Sequence, residues 1–339
     1  MRSIETLDNL TVIIPTYNRV ENLSRLVNFY QNTNVKLIVL DGSSKPNLRM
    51  TNTKVKYMYL SDSNLHERLL YSSKLVDTKY VAICADDDFI FPRGLERCIR
   101  FLDAHPDYSS VQGAFIRFNY DQFFSWRPDY VHWNAIRILE DDPIDRTLNS
   151  RKSCQFLYST MRASTFKSVV SAFTGVNSGS LTMNELAFNY IVPFLGKYQT
   201  IPVIYGARLE HAKSGVNMRY STWIKNYDTN CETYLNNIER IYSSYVTKSK
   251  ASELQKIMTR VFVDNDQLSL ESKPIRQKIR SLNRVLRSFR SLNTLRPINS
   301  IERIKWFITL RKSIYKELNA INILKKHVSE NKIAGTPSL

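Results

Sequence analysis

Three adjacent carboxylates, Asp86-Asp87-Asp88, follow directly on the apolar run Lys79-Tyr-Val-Ala-Ile-Cys-Ala. Like charges this close repel, so a folded chain must supply a cation or strong local hydrogen bonds. In an extended segment alternate residues point the same way, so Asp86 and Asp88 are expected to reach one cation together. Hard oxygen donors of this kind suit Mg²⁺ or Mn²⁺, with substrate phosphates completing the shell. The plainer alternative is that one aspartate caps the next helix and the others face water. Placement at the end of a strand favours the metal.

The segments that must position this cluster alternate between two periods. Thr11-Val-Ile-Ile-Pro-Thr, Val35 to Leu40, Lys54 to Leu60 and Lys79 to Ala85 read as strands. Between them Val20 to Tyr30, Leu65 to Val76 and Pro92 to Ala104 place apolar residues at helical spacing. Further on, Val111 to Phe118 and Ile201 to Leu209 read as strands, and Ser164 to Phe173 and Thr182 to Phe194 as helices. Beyond Met218 the pattern is almost wholly helical. The expected class is α/β, a mostly parallel sheet flanked by helices and followed by a helical C-terminal region. Ligands of such sheets bind beyond the carboxyl ends of the strands. A chain of 339 residues predicts about two domains, placed here at 1–217 (catalytic) and 218–339 (basic and helical).

Composition removes several classes. Hydrophobic residues at 43% and charged residues at 23% are those of a globular protein, and 9 Gly and 11 Pro exclude collagen-like character. Cys84, Cys98, Cys154 and Cys231 form no CxxC pair, so reduced buried thiols are expected rather than zinc or a disulfide framework. No apolar stretch approaches the ~20 residues that span a bilayer, and Met1 to Asp8 lacks the apolar run of a signal peptide. A cytoplasmic chain is expected.

Three short segments carry a family resemblance. Thr11-Val-Ile-Ile-Pro-Thr-Tyr-Asn-Arg resembles the opening strand and turn of family 2 glycosyltransferases with the GT-A, Rossmann-like fold. Val39-Leu-Asp-Gly-Ser resembles their second signature, and Ala85-Asp-Asp-Asp-Phe-Ile-Phe-Pro their metal-binding DxD motif. The three occur in the family's order, over residues 10–105 closely and 106–215 loosely. The resemblance implies metal-dependent sugar transfer from a nucleotide-diphosphate donor, a UDP-sugar favoured, with inversion by direct displacement. It implies that Pro15, Thr16, Tyr17 and Arg19 line the nucleotide pocket, with Asp86 and Asp87 beside them. Asp41 would hold the base or ribose, and Asp86 and Asp88 the Mn²⁺ or Mg²⁺. Asn64-Leu-His-Glu-Arg-Leu replaces the family's Gly-containing segment, which makes Arg68 a candidate phosphate contact.

Inversion needs a general base for the acceptor hydroxyl. In the family this is an acidic residue near the start of a helix, and Met183-Asn-Glu-Leu-Ala-Phe offers Glu185. Thr182 and Glu185 also fit a capping box, which is the structural alternative. Asp141, Asp142 and Asp145 form a second acidic stretch, a solvated loop or an acceptor contact. In Arg208-Leu-Glu-His-Ala-Lys, His211 is a candidate metal ligand and Lys213 a candidate diphosphate contact. Trp126, Trp133 and Trp223 could stack on an acceptor sugar, with core packing the default.

The net charge of +17 is unevenly placed: residues 270–339 hold 16 Lys/Arg against 4 Asp/Glu. Ser272 to Lys326 joins helical apolar spacing to basic faces, as in helices that lie on anionic membranes. The expected partners are therefore a nucleotide-sugar, a glycan or lipid-linked acceptor of bacterial surface polysaccharide synthesis, and the inner face of a cell membrane. A homo-oligomer through the C-terminal helices is the alternative use of the tail. No nucleic-acid-binding signature is present. The competing functions are a non-catalytic membrane-associated scaffold and a nucleotidyltransferase on a related fold. The second lacks support because Pro15-Thr-Tyr-Asn-Arg has no glycine.

Overall fold

The computed structural model describes residues 7–47, 50, 55–119, 125–128, 136–150, 156–177, 181–209, 229–271 and 308–309. In chain order the strands are β1 (Leu10–Thr16), β2 (Lys36–Asp41), β3 (Val55–Tyr59), β4 (Tyr80–Ile83), β5 (Phe89–Ile90), β6 (Tyr108–Asn119), β7 (Ser125–Pro128), β8 (Arg137–Ile138), β9 (Thr160–Arg162) and β10 (Lys197–Leu209). The helices are α1 (Val20–Tyr30), α2 (Leu65–Ser72), α3 (Pro92–Ala104), α4 (Pro143–Ser150), α5 (Ala163–Ser171), α6 (Leu181–Leu195), α7 (Thr229–Ser243) and α8 (Lys248–Glu271).

The central strands alternate between two apolar clusters. Leu10, Val12 and Ile14 of β1 face one, with Leu37, Val39, Tyr80 and Ala82; Ile13 faces the other, with Ile38, Leu40, Val81 and Ile83. A strand apolar on both faces belongs in a sheet covered on both sides. On the first side lie Leu23, Leu26, Val27 and Tyr30 of α1 and Leu95, Cys98, Ile99 and Leu102 of α3. On the second lie residues of α2, α5 and α6, together with Tyr234, Ile238 and Tyr242 of α7 and Leu254 and Met258 of α8. Each such side chain contributes roughly 1.5–3 kcal/mol of burial, so α7 and the first half of α8 are fixed parts of the same core. The expected 217/218 boundary lies outside the described residues.

All ten strands form one sheet, in the order β3-β2-β1-β4-β9-β6-β10-β5, with β7 on β6 and β8 on β10. The first four pair in parallel. Short β9 is antiparallel to both β4 and β6, and β10 is parallel to β6. β1, β2, β3, β4, β6 and β10 therefore run one way, as expected, and β5, β7, β8 and β9, none longer than four residues, oppose them. Strands this short show no period, and unlike β4 these four do not sit inside a longer apolar run, which is why the sequence reading missed them. The chain is thus α/β, a mostly parallel sheet flanked by helices, with a helical region after the sheet.

Local chemistry sets the helix starts. Asn64 caps α2 in a full capping box, accepting from Glu67 N at 3.0 Å while Glu67 Oε2 accepts from Asn64 N at 2.9 Å. Pro92 opens α3, where its missing N–H costs nothing. Helix α6 begins at Leu181, so Thr182 is inside it rather than its cap, and Glu185 lies one residue past the first turn. Cys84, Cys98 and Cys231 are buried free thiols as expected, and Cys154 lies outside the described residues. Among the described residues no helix is long and apolar enough to cross a membrane.

Candidate active site

The carboxyl ends of β1, β2, β4 and β10 meet around the aspartate cluster. Beyond β4 the chain turns instead of staying extended, and Asp88 N donates to Ala85 O at 3.1 Å. This corrects the expectation that alternation aims Asp86 and Asp88 the same way. Asp86 and Asp87 together face the β1 turn, and Asp88 faces β10. Thr16, the last residue of β1, donates its hydroxyl to Asp86 Oδ2 at 2.7 Å. Arg19 Nη1 donates to Asp86 Oδ1 at 3.0 Å and to Asp87 Oδ2 at 2.7 Å. Asp88 Oδ1 accepts from Leu209 N at 2.9 Å, and its Oδ2 lies 4.0 Å from Arg208 Nε.

All three aspartates are buried. Burial pushes the Asp86 carboxyl up; the Thr16 hydroxyl pulls it back, Asp87 adds to the rise and Arg19 opposes it, with a net rise. The charged form of Asp86 thus carries a burial cost, which a hard divalent cation would relieve. The donor chemistry fits Mg²⁺ or Mn²⁺. Among the described residues Asp86 and Asp88 do not converge with a third His, Cys, Asp or Glu into a ready-made cage.

The turns after β1 and β2 are tied to each other. Asn18 sits at φ 53°, a left-handed conformation that asparagine tolerates. Its N–H donates to Ser43 Oγ at 2.7 Å and its Oδ1 accepts from Ser44 N at 3.2 Å. Asp41 is buried, and its carboxylate accepts from Ser43 N at 2.8 Å and from the Tyr57 hydroxyl at 2.6 Å. It shapes the Gly42–Ser44 turn. Tyr57 is in turn pushed up to about 12, first by burial and then by its bond to Asp41. Tyr17 is 60% exposed, and Pro15 pairs with Leu40 at the strand ends.

Arg68 departs from the phosphate contact expected of it. It is buried, and Nη1 donates to the carbonyls of Thr16 at 2.7 Å and Leu40 at 3.0 Å. A Cβ on Gly42 would stand 2.7 Å from its guanidinium carbon, so a side chain there would push the guanidinium aside. Buried carbonyls need donors, and Arg68 supplies them as a brace beneath both turns.

Glu185 lies on α6, exposed to solvent and within electrostatic reach of Arg208. Burial raises its carboxyl above the ordinary glutamate range and Arg208 opposes that rise. Arg208 itself packs against two rings, 4.0 Å from the Tyr158 centroid and 4.7 Å from that of Phe115. Sequence reasoning passed over Arg208 and Tyr158. The one available signal was a cation at the very end of a strand that reaches the cluster.

The second acidic stretch stays apart. Asp141 is 94% exposed and pairs with Lys197 at 2.8 Å, while Asp142 Oδ1 caps α4 by accepting from Ile144 N and Asp145 N. Trp126 lies in β7 opposite Phe118. His211, Lys213, Trp133 and Trp223 lie outside the described residues. Two cavities of about 770 and 810 Å³ lie elsewhere, between α3 and β10 and at the amino ends of β1 and β2. Neither contains the carboxylate cluster, and it is chemistry rather than volume that marks the site.

This arrangement agrees with the family comparison, in which residues 11–169 match the model of Glycosyl transferase family 2. Residues 11–169 form a family 2 glycosyltransferase domain. The matched segment carries the whole β1, β2 and β4 side of the site, and Glu185 and Arg208 lie beyond it. A crystal structure of residues 1–349 of S. aureus TarS shares the fold, with a TM-score of 0.50, 15% identity and 92% of both chains covered. The same TarS fragment in complex with UDP-GlcNAc gives 0.49 at 13% identity over 92% of both chains. No curated protein sequence matches the chain.

Proposed function

We propose that this family 2 glycosyltransferase moves a sugar from a nucleotide-diphosphate donor, a UDP-sugar first among candidates, to a glycan or lipid-linked acceptor by inverting displacement. The observation that carries the reading is the knot of Thr16, Arg19, Asp86 and Asp87 at the carboxyl ends of β1 and β4, where open α/β sheets bind ligands. Tyr17 and the turns tied by Asn18, Asp41 and Arg68 would form the nucleotide pocket. Asp86 and Asp88 would hold Mn²⁺ or Mg²⁺, with His211 a candidate third ligand and Lys213 a candidate phosphate contact. A divalent cation there would supply Lewis-acid stabilisation of the diphosphate. Glu185 would take the proton of the acceptor hydroxyl as that oxygen attacks. Its raised carboxyl is suited to this, because a base works best with a pKa near the working pH.

The basic tail supports contact between residues 272–326 and an anionic membrane surface on the cytoplasmic side, next to a lipid-linked acceptor. Deleting the chain after Ser272 should then abolish binding to phosphatidylglycerol vesicles. Equal binding with and without the tail would assign it to packing or self-association within a 218–339 unit.

The reading is tested by thermal unfolding with UDP, GDP, CDP and CMP, each with and without Mn²⁺. A ligand at 100 times its Kd stabilises by about 2.7 kcal/mol, a rise of several degrees for a chain of this size. A metal-dependent shift with one nucleoside diphosphate is expected. A flat response to all four, with and without metal, would favour the scaffold alternative.

A further inference from the structure

We infer that Arg19 is the resident counter-cation of the aspartate cluster, and that a divalent ion reaches Asp86 by displacing its guanidinium. The inference rests on the donor and cation reading above. Arg19 Nη1 stands between two carboxylates, 3.0 Å from Asp86 Oδ1 and 2.7 Å from Asp87 Oδ2. With the Thr16 hydroxyl 2.7 Å from Asp86 Oδ2, both oxygens of Asp86 accept from neighbours in the chain. A metal ion bonded to Asp86 Oδ1 at about 2.1 Å would share that oxygen with the guanidinium, and two cations on one acceptor repel. Arg19 and the ion therefore bind Asp86 in competition.

The partners in this contact differ in freedom. The Asp86 and Asp87 side chains are 4% and 9% exposed, whereas that of Arg19 is 49% exposed. The backbone of Arg19 is held on both sides. Asn18 N donates to Ser43 Oγ at 2.7 Å, and Arg19 O accepts from Leu23 N at 3.0 Å in the first turn of α1. A long side chain on a fixed backbone, half in water, leaves by rotation about its own bonds. Arg68, by contrast, is buried beneath the turns with Nη1 bonded to two carbonyls.

Buried like charges explain why such a residue is needed. Asp86 and Asp87 are adjacent, and a folded chain must offset their repulsion before any substrate arrives. Arg19 does so through Nη1. Because the ion must first take its place, the chain alone holds Mn²⁺ or Mg²⁺ weakly, and phosphate oxygens of the donor supply the rest of the shell. A residue that only braced the β1 turn would aid the ion by keeping Asp86 in place, so the two roles predict opposite signs.

The test titrates Mn²⁺ into the full chain without nucleotide at about pH 8, where carboxylates are ionised, and reads the free ion by electron paramagnetic resonance. Arg19→Met keeps a long side chain and removes its charge. It should tighten Mn²⁺ about threefold or more, the scale of a partly exposed ion pair. Arg19→Lys keeps a charge and should stay near the wild-type affinity. Arg19→Met combined with Asp86→Asn should lose the gain. Unchanged or weaker Mn²⁺ binding in Arg19→Met, the same gain in Arg19→Lys, or a gain that survives without the Asp86 carboxylate would overturn the competition. Should Arg19→Met fail to fold, Arg19→Gln is equally neutral and should show the same gain, and no gain there would count equally against the inference. A chain that binds no Mn²⁺ as wild type or variant, with or without UDP, would remove the cation reading itself and this inference with it, an outcome distinct from equal measurable affinities.

Discussion

On the side of β1, β2 and β4 the site residues come from positions 16–88 and are joined by direct hydrogen bonds at 2.6–3.0 Å among Thr16, Arg19, Asp41, Tyr57, Arg68, Asp86 and Asp87. On the side of β10 and α6, Arg208 Nε lies 4.0 Å from Asp88 and interacts electrostatically with Glu185. The two sides are stitched by the pairing of β5 with β10 and by a bond from Leu209 N to Asp88, 121 residues apart in sequence. The first side is a scaffold joined by short hydrogen bonds; on the second, Glu185 stands exposed on α6. Damage to the first should therefore register in stability and donor binding together, and loss of the Glu185 carboxylate mainly in turnover.

Asp88 is where the sides meet, and its loss should be the most severe. Asp88→Asn keeps an oxygen to accept from Leu209 N, so the fold should survive while transfer falls below detection and metal-dependent nucleotide stabilisation disappears. Retained metal-stimulated turnover would take the cation away from Asp88. Glu185→Gln should lower turnover by about 10² or more with donor affinity kept. In the wild type the acid limb of turnover should rise only above the ordinary carboxylate range, because the Glu185 carboxyl is raised. The sign for stability follows: a raised native carboxyl contributes stability at low pH that is lost as pH rises through the raised value. The Glu185→Gln chain should therefore gain on the wild type in chemical denaturation as pH climbs from about 4.3, and a constant difference would contradict the shift.

On the scaffold side, Arg68→Met leaves two buried carbonyls without their donor, which should cost about 2–3 kcal/mol and lower the unfolding midpoint by several degrees. Donor affinity should fall with it, since both turns rest on Arg68; a loss of affinity at full stability would return Arg68 to the phosphates. Asp141→Asn should be the mildest change, altering neither turnover nor the unfolding midpoint, because the Lys197 pair is on the surface. A large loss of turnover there would make Asp141 the base in place of Glu185.

The sheet and the scaffold side were largely legible before any coordinates. Thr11–Thr16, Val35–Leu40 and Lys79–Ala85 show continuous apolar runs, which local chemistry converts into buried parallel strands, and the three signature segments end on them. What failed did so where a residue's role depends on partners far away. The alternation argument for Asp86 and Asp88 assumed a strand where the chain turns. Arg68 read as a phosphate contact because nothing local reveals that two strand ends leave carbonyls above it. Asp142 belonged to a helix too short to announce itself, which it caps.

By itself the sequence determined the α/β class, the order of the long strands, the family and the position of the carboxylate cluster, because period, turn residues and motifs are local quantities. Only the tertiary structure decided which cation serves which carboxylate, that Arg208 stands beside Asp88, and that Glu185 comes within electrostatic reach of Arg208. Those relations follow from the pairing of β5 with β10 and from the packing of α6, and non-local contacts leave no periodic trace in the segments they join.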